Sequence, residues 1–318
     1  MSFEAPRGAV ISIGNFDGVH LGHRALLGRM RELAEAAGAP AVVITFFPPA
    51  KVFFTGADFL STAQEKRMLL EEFRPDRVVM VPFDDEFRET TKEQFLADLG
   101  RLEPRAFVVG GDFRFGRGRA GGVEDLARLA PVEPFELVSV DGRPVGSSRV
   151  RELLAEGRVE EANRLLGAPY MAHGTVVRGA QRGRTIGYPT ANLELSPRKA
   201  LPTGVFAVTV EVPVQVPTGP SSGAGADLPS AAAGGSAGRE RTHLHGGMAS
   251  VGERPMFPDG SPSLEAHIFD FDRDIYDEVV TVRFVRKLRD QVRFGSLEEL
   301  KAQLAADEAA AREALGRG

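Results

Sequence analysis

The chain of 318 residues contains no cysteine and no tryptophan. The first absence excludes disulfides, thiolate nucleophiles, Cys-ligated zinc and iron–sulfur clusters together. Lysine is scarce: only six of the 39 basic residues are Lys, and arginine supplies the rest. Histidine is equally sparse, being confined to His20, His23, His173, His243, His245 and His267. No Gly-Lys dipeptide occurs, so there is no Walker-type phosphate loop, and any ATP must be held by other means. The longest apolar runs, such as AVVITFF at 41–47, are far too short to cross a bilayer. The opening MSFEAPRGAV has no basic stretch followed by an apolar one, so no secretory signal and a cytoplasmic location are expected. A net charge of −5 without a basic stripe argues against a nucleic-acid partner but leaves small anionic ligands open.

What is present is an ordinary globular mixture, with 42% hydrophobic and 26% charged residues, long enough for about two domains. Up to about residue 146, short apolar strand candidates (9–13, 41–46, 77–81, 105–110) alternate with helical patterns (21–37, 63–73, 91–99). Two helices open with capping boxes, Thr62–Glu65 and Thr91–Gln94. This alternation predicts a parallel sheet covered on both faces. Two more helical stretches, 147–156 and 158–166, lead to the turn GAP at 167–169, which reads as the boundary between a domain over 1–168 and one over 169–318. Beyond it AHGTVVRG, GVFAVTVEV, LEAHIFDF and EVVTVRFVRKL follow without intervening helices, which predicts a small antiparallel barrel or sandwich. A final helix over 296–316 is expected behind a third capping box, Ser296–Glu299. Residues 217–238, nearly all Gly, Pro, Ala and Ser, cannot offset their ordering entropy by burial and read as a disordered insertion in a hairpin.

The first chemical motif is GNFDGVHLGH at 14–23, directly after a strand and opening a helix. His20 and His23, three apart, share one face of the first turn. The free N–H groups and the dipole at that terminus favour an anion, and Gly22 lets a phosphate approach the backbone. Zinc is disfavoured because no third ligand is near. The second motif is GRTIGYPTAN at 183–192. Thr190 and Asn192 are two apart and share a face in an extended segment. They read either as oxygen ligands for Mg²⁺ with ATP phosphates or as a turn closing a hairpin. In VGSSRVRELL (145–154), Ser147, Ser148 and Arg151 could clamp a phosphate, although alone they read better as an N-cap with a solvated arginine. Glu265 and His267 share one strand face; alone, Glu265 reads as an exposed carboxylate. His243 and His245 adjoin the insertion, lack a third ligand and read as a loop feature.

These strings together resemble the prokaryotic bifunctional riboflavin kinase/FMN adenylyltransferase (FAD synthetase) family over nearly the whole chain. GNFDGVHLGH resembles its adenylyltransferase box, VGGDFRFGRGRAG (109–121) its Gly-rich nucleotide loop, and VGSSRVRELL its S-S-T-x-[IV]-R box. GRTIGYPTAN resembles the riboflavin kinase signature, GVFAVTV (204–210) its following strand, and GMASVGERPMF (247–257) its G-V-A-N-I-G-x-R-P-T box. Departures fall at Asp112, Gly146, Ser148, Phe206, Ser250 and Met256. The resemblance implies an α/β nucleotidyltransferase domain of the H-x-G-H type with a Rossmann-like parallel sheet, then a small antiparallel β-barrel with a C-terminal helix. It implies ATP-dependent phosphorylation of riboflavin to FMN, then adenylylation of FMN to FAD with release of pyrophosphate. Glu265 becomes the kinase base, and His20 and His23 the adenylyl-transfer residues. Gly14, Asn15, Phe16, Asp17, Gly18, Gly22, Asp112, Ser147, Ser148 and Arg151 become nucleotide contacts of the first domain. Gly183, Arg184 and Gly187 do the same in the second, with Thr190 and Asn192 at Mg²⁺ and Arg254 and Pro255 at the flavin. Two rivals are another H-x-G-H nucleotidyltransferase, such as one acting on pantetheine phosphate, and a flavin sensor that binds without turnover.

Overall fold

The computed structural model describes residues 3–136, 138–179, 183, 186–214, 242–253 and 262–316. Arg184, Arg254, Pro255, Met256 and the 217–238 insertion lie outside the described residues. The first part contains β1 (Val10–Gly14), α1 (Leu21–Ala37), β2 (Ala41–Phe47), α2 (Ala50–Thr55), α3 (Ala63–Glu71) and β3 (Arg77–Pro82). There follow α4 (Asp85–Arg88), α5 (Lys92–Gly100), β4 (Ala106–Gly110), α6 (Val123–Leu126) and β5 (Val132–Phe135). These strands form one parallel sheet in the order β3-β2-β1-β4-β5. The strands alternate their faces. Ile11, Ile13, Val42 and Ile44 enter one core layer, while Val10, Ala41, Val43 and Val108 enter the other. The sheet is therefore buried on both sides, as its unbroken apolar strands predict. The order reverses at β1, which places a crevice beyond the carboxyl ends of β1 and β4. Both the first motif and the Gly-rich loop leave the sheet there.

Both capping boxes at α3 and α5 form as expected. A small hairpin, β6 (Ser139–Val140) with β7 (Arg143–Pro144), precedes α7 (Ser147–Ala155) and α8 (Val159–Leu166). The apolar faces of α7 and α8, through Val150, Leu154, Val159 and Leu165, share one core with barrel residues such as Phe206, Val208 and Phe284. The apolar interior is thus continuous across the turn at 167–169.

The second part is a closed antiparallel barrel in the order β10-β11-β12-β9-β8-β13. Its strands are β8 (Tyr170–Val177), β9 (Ala191–Glu194), β10 (Gly204–Pro213), β11 (Thr242–Glu253), β12 (Pro262–Ile268) and β13 (Val279–Arg289). Closure removes the exposed edges that so short a sheet would otherwise present. Two expectations are corrected. His243 and His245 lie within β11, paired to Val212 and Val210 of β10, rather than in a loop. The C-terminal helix α9 (Leu297–Ala314) forms only half of its expected box. Ser296 accepts from the Glu299 N–H at 3.2 Å, but Glu299 accepts from Gly295, one residue before the cap. Helix α9 covers the outer face of the barrel, with Ala311 against Ala207, Met248 and Phe269, and Asp307 accepts from Arg289 at 2.7 Å.

Candidate active sites

The 14–23 segment wraps the carboxyl end of β1. His20 is the N-cap of α1, and its Nδ1 accepts from the backbone N–H of His23 at 3.4 Å. That bond fixes the neutral His20 ring with its proton on Nε2. The two rings stack, with centroids 3.7 Å apart and planes 16° apart. Phe16, buried beneath them, meets the His23 ring edge-on at 5.2 Å. A Cβ on Gly22 would lie 3.3 Å from the His20 ring, so a larger residue there would press on that histidine. Burial pushes the His20 pKa down to about 4. Burial also holds His23 well below its ordinary value, helped by the charges of His20 and Lys66, and its Nδ1 is buried without a partner among the described residues. At neutral pH both are uncharged rings.

Asp17 and Arg151 pair with each other. Asp17 is buried; its Oδ1 accepts from the N–H groups of Leu60 and Ser61 at 2.9 and 3.1 Å, and its Oδ2 from Arg151. Arg151 also donates to the Asp58 carbonyl at 2.6 Å. Both side chains thus hold the motif to the 58–61 segment and to α7. Ser147 joins them, donating to the Asp17 carbonyl at 2.9 Å. Gly18, at φ +80°, donates to Ser61 Oγ at 3.1 Å, and a Cβ there would meet Leu60 at 2.8 Å. Asn15 accepts from the Ala50 N–H at 3.1 Å and so tethers α2.

Beside this motif lies a cavity of about 750 Å³. Its walls carry Phe46, Phe54, Phe83, Phe87, Phe113 and Phe115, and Gly14, Asn15, Lys51 and Asp112 supply polar atoms. None of the sequence motifs contains this aromatic box. A signal was present: twelve of the 21 Phe fall between 46 and 115. A planar, mainly apolar ring system suits such walls.

On the barrel, Ser250 of β11, Glu265 of β12 and Asn192 of β9 pair directly across neighbouring strands. They form one row on the outer face, while Leu264 and Ala266 point into the core. Glu265 is half-buried. A Cβ on Gly179 would overlap the Asn192 amide, so that glycine makes the room for it. Ser250 accepts from Gln291 at 2.8 Å. His267, two residues on, donates from Nδ1 to the Pro189 carbonyl at 2.7 Å and so ties the strand to the GYPTAN turn. Gly183 accepts from the Tyr188 N–H at 2.9 Å within that turn, and Gly187 sits at φ +88°. A cavity of about 330 Å³ opens beside the turn, lined by Thr190, Ala191, Ala266, Phe271 and Tyr276. Thr190 borders this cavity; Asn192 stands in the Glu265 row. Among the described residues no group of three or more His, Asp or Glu is arranged to hold a metal ion.

Comparison with known proteins agrees with both halves. Residues 2–152 match the FAD synthetase family and residues 166–315 the riboflavin kinase family. The chain is 36% identical to a bifunctional riboflavin kinase/FMN adenylyltransferase of Pseudomonas fluorescens, covering 96% of this chain and 93% of that one. The corresponding Escherichia coli K12 protein is also 36% identical, over 98% of this chain and 95% of its own. A solved structure from Streptococcus pneumoniae, described as a macrolide-efflux protein, superposes with a TM-score of 0.80 at 31% identity, covering 98% of this chain and 95% of that one. No helix among the described residues is long and apolar enough to cross a membrane.

Proposed function

The chain belongs to the family of bifunctional riboflavin kinase/FMN adenylyltransferases and makes FMN from riboflavin and then FAD from FMN, and on that premise we propose how its residues divide the two reactions. Residues 1–168 carry adenylyl transfer and 169–318 carry the kinase, with small soluble molecules as the partners, in the cytoplasm.

For adenylyl transfer, the FMN ring lies in the aromatic cavity and ATP over the His20–His23 edge. An FMN phosphate oxygen attacks the α-phosphorus of ATP; the new P–O bond forms as the bond to the bridging oxygen breaks, and pyrophosphate leaves with that electron pair. The nucleophile is already ionised, so no base is needed. Neutral His20 donates from Nε2 to oxygen on which charge develops, where a preorganised donor lowers the barrier most. His23 stacks behind it. The Asp17–Arg151 pair and Ser147 keep the motif and α7 in register.

For the kinase, Glu265 takes the proton of the ribityl 5′-hydroxyl, whose oxygen attacks the γ-phosphorus while ADP leaves. General-base help of this kind contributes about 10²–10⁴-fold. The neutral oxygens of Thr190 and Asn192 fit Mg²⁺, which prefers hard oxygen ligands and shares its shell with nucleotide phosphates and water. Bound there, the ion supplies neutralisation of phosphate charge. Gly183 and Gly187 shape the turn for the nucleotide, and Ser250 and Gln291 brace the strand beside Glu265.

The observation that carries this reading is the co-occurrence of two separate sites, a stacked histidine pair on the parallel sheet and the Ser250–Glu265–Asn192 row on the barrel. Incubation of the pure protein with riboflavin, ATP and Mg²⁺, followed by chromatography of the flavins, tests it. FMN and FAD both appearing is expected; bound but unconsumed riboflavin would make the protein a flavin sensor instead.

A further inference from the structure

We propose that Lys51 is a further catalytic residue of adenylyl transfer, a cation that lets the two reacting phosphates meet. This rests on reading the 14–23 site as the adenylyl-transfer site.

FMN phosphate carries close to two negative charges at neutral pH, and ATP more, so the encounter is repulsive unless a positive group stands between them. The histidines cannot supply it, because burial keeps them uncharged. Arg151 cannot, because Asp17 neutralises it in a buried pair. Lys66 is fully buried, with Nζ donating to the Phe46 carbonyl at 2.6 Å. Lys51 differs on each count. Its Nζ donates to a neutral hydroxyl, Ser148 Oγ, at 2.7 Å, and among the described residues it makes no ion pair. It lines the aromatic cavity. Ser148 stands in the first turn of α7, a nine-residue helix whose N-cap, Gly146, offers its N–H groups no side-chain acceptor.

A closed ring of contacts places the ammonium. Asn15 of the motif holds the Ala50 N–H, Lys51 reaches Ser148, and Ser147 returns to the Asp17 carbonyl. Lys51 therefore stands where the flavin cavity, the motif and α7 converge. Exchange of the neutral Ser148 hydroxyl for phosphate oxygens, which carry charge, requires only rotation of an exposed, flexible stem. In the transition state the ammonium pairs with the FMN phosphate oxygen that attacks and with a non-bridging α-phosphate oxygen; no proton is transferred.

The test is steady-state FAD formation from FMN by Lys51→Met and Lys51→Arg, beside His23→Ala. Riboflavin phosphorylation by the same chain reports intact folding. Lys51→Met is expected to lose about 10²-fold in kcat, the scale of removing one transition-state donor, while Lys51→Arg stays within about tenfold of the parent because the charge is kept. If Lys51→Met forms FAD within about threefold of the parent rate while His23→Ala does not form it, the assignment of Lys51 is overturned and the site stands. If His23→Ala also keeps the parent rate, the reading of the site itself fails.

Discussion

Replacing Lys199 by methionine should destabilise the protein far more than its place on a short connecting segment suggests. Lys199 and Glu65 are both essentially fully buried, and their charges meet at 2.8 Å between the barrel and α3. Lys199 also donates to the Leu60 carbonyl at 2.6 Å and lies over the Tyr170 ring, 4.3 Å from its centroid. Glu65 accepts from Thr62 N–H at 2.7 Å and from His173 N–H at 2.9 Å. At an effective dielectric constant of about 20, attraction at that separation is on the order of 6 kcal/mol. Desolvation of the two ions costs a similar amount, and burial pulls the Lys199 pKa down despite the raising effect of Glu65. The pair is therefore near neutral as a unit, but its halves are not. Loss of Lys199 alone leaves a buried carboxylate with two N–H donors and no counter-charge, at a cost of about 3–5 kcal/mol. Lys199→Met with Glu65→Gln removes both charges and should recover about 2 kcal/mol or more relative to additivity. Urea unfolding followed by far-ultraviolet circular dichroism measures all four corners of this cycle. A single-variant cost below about 1 kcal/mol, or strict additivity, would refute the reasoning.

Three further outcomes follow from the geometry. His20 titrates near 6.5 when unfolded and at about 4 when folded, so the unfolded chain binds the extra proton between those values. Its contribution to stability is complete above pH 6.5 and is lost as pH falls toward 4, by about 3 kcal/mol at ~1.4 kcal/mol per pH unit; His20→Gln should flatten that part of the stability–pH curve. Phe54 is 63% exposed yet lines the aromatic cavity, so Phe54→Ala should leave the unfolding midpoint nearly unchanged while weakening FMN binding by about 5–10-fold in a titration. His267→Ala removes the bond to the Pro189 carbonyl and should slow riboflavin phosphorylation by about tenfold, with FAD formation from added FMN unaffected; equal loss of both would contradict its role in the turn.

Much of this architecture was legible in the residues. Unbroken Val/Ile/Ala strands separated by capped amphipathic helices specify a buried parallel sheet, because both periodicity and caps are local. The C-terminal strands were legible for the same reason, except β9, which is only four residues long, and β11. Its THLHGGMASVGE string looks like a loop. Gly247 serves instead to admit close backbone approach, since a Cβ there would lie 2.6 Å from the His267 carbonyl. Helix α2 was hidden by the FFPPAKVFF composition. The aromatic box was illegible as a site because its rings come from β2, α2, the turn after β3, α4 and the loop after β4. Glu65 and Lys66 look like a solvated face on α3, yet both are fully buried; only tertiary contacts with Lys199 and the Phe46 carbonyl reveal why. Asp17 and Arg151 belong to the same lesson. The motifs locate them, but only the fold shows that they pair with each other.

The most direct test of two independent sites in one chain is Glu265→Gln assayed twice, once from riboflavin and once from FMN. The account predicts FMN formation slowed by about 10²–10⁴-fold, with FAD formation from supplied FMN at the parent rate. A parallel loss of both activities, or an unaltered kinase, would contradict it.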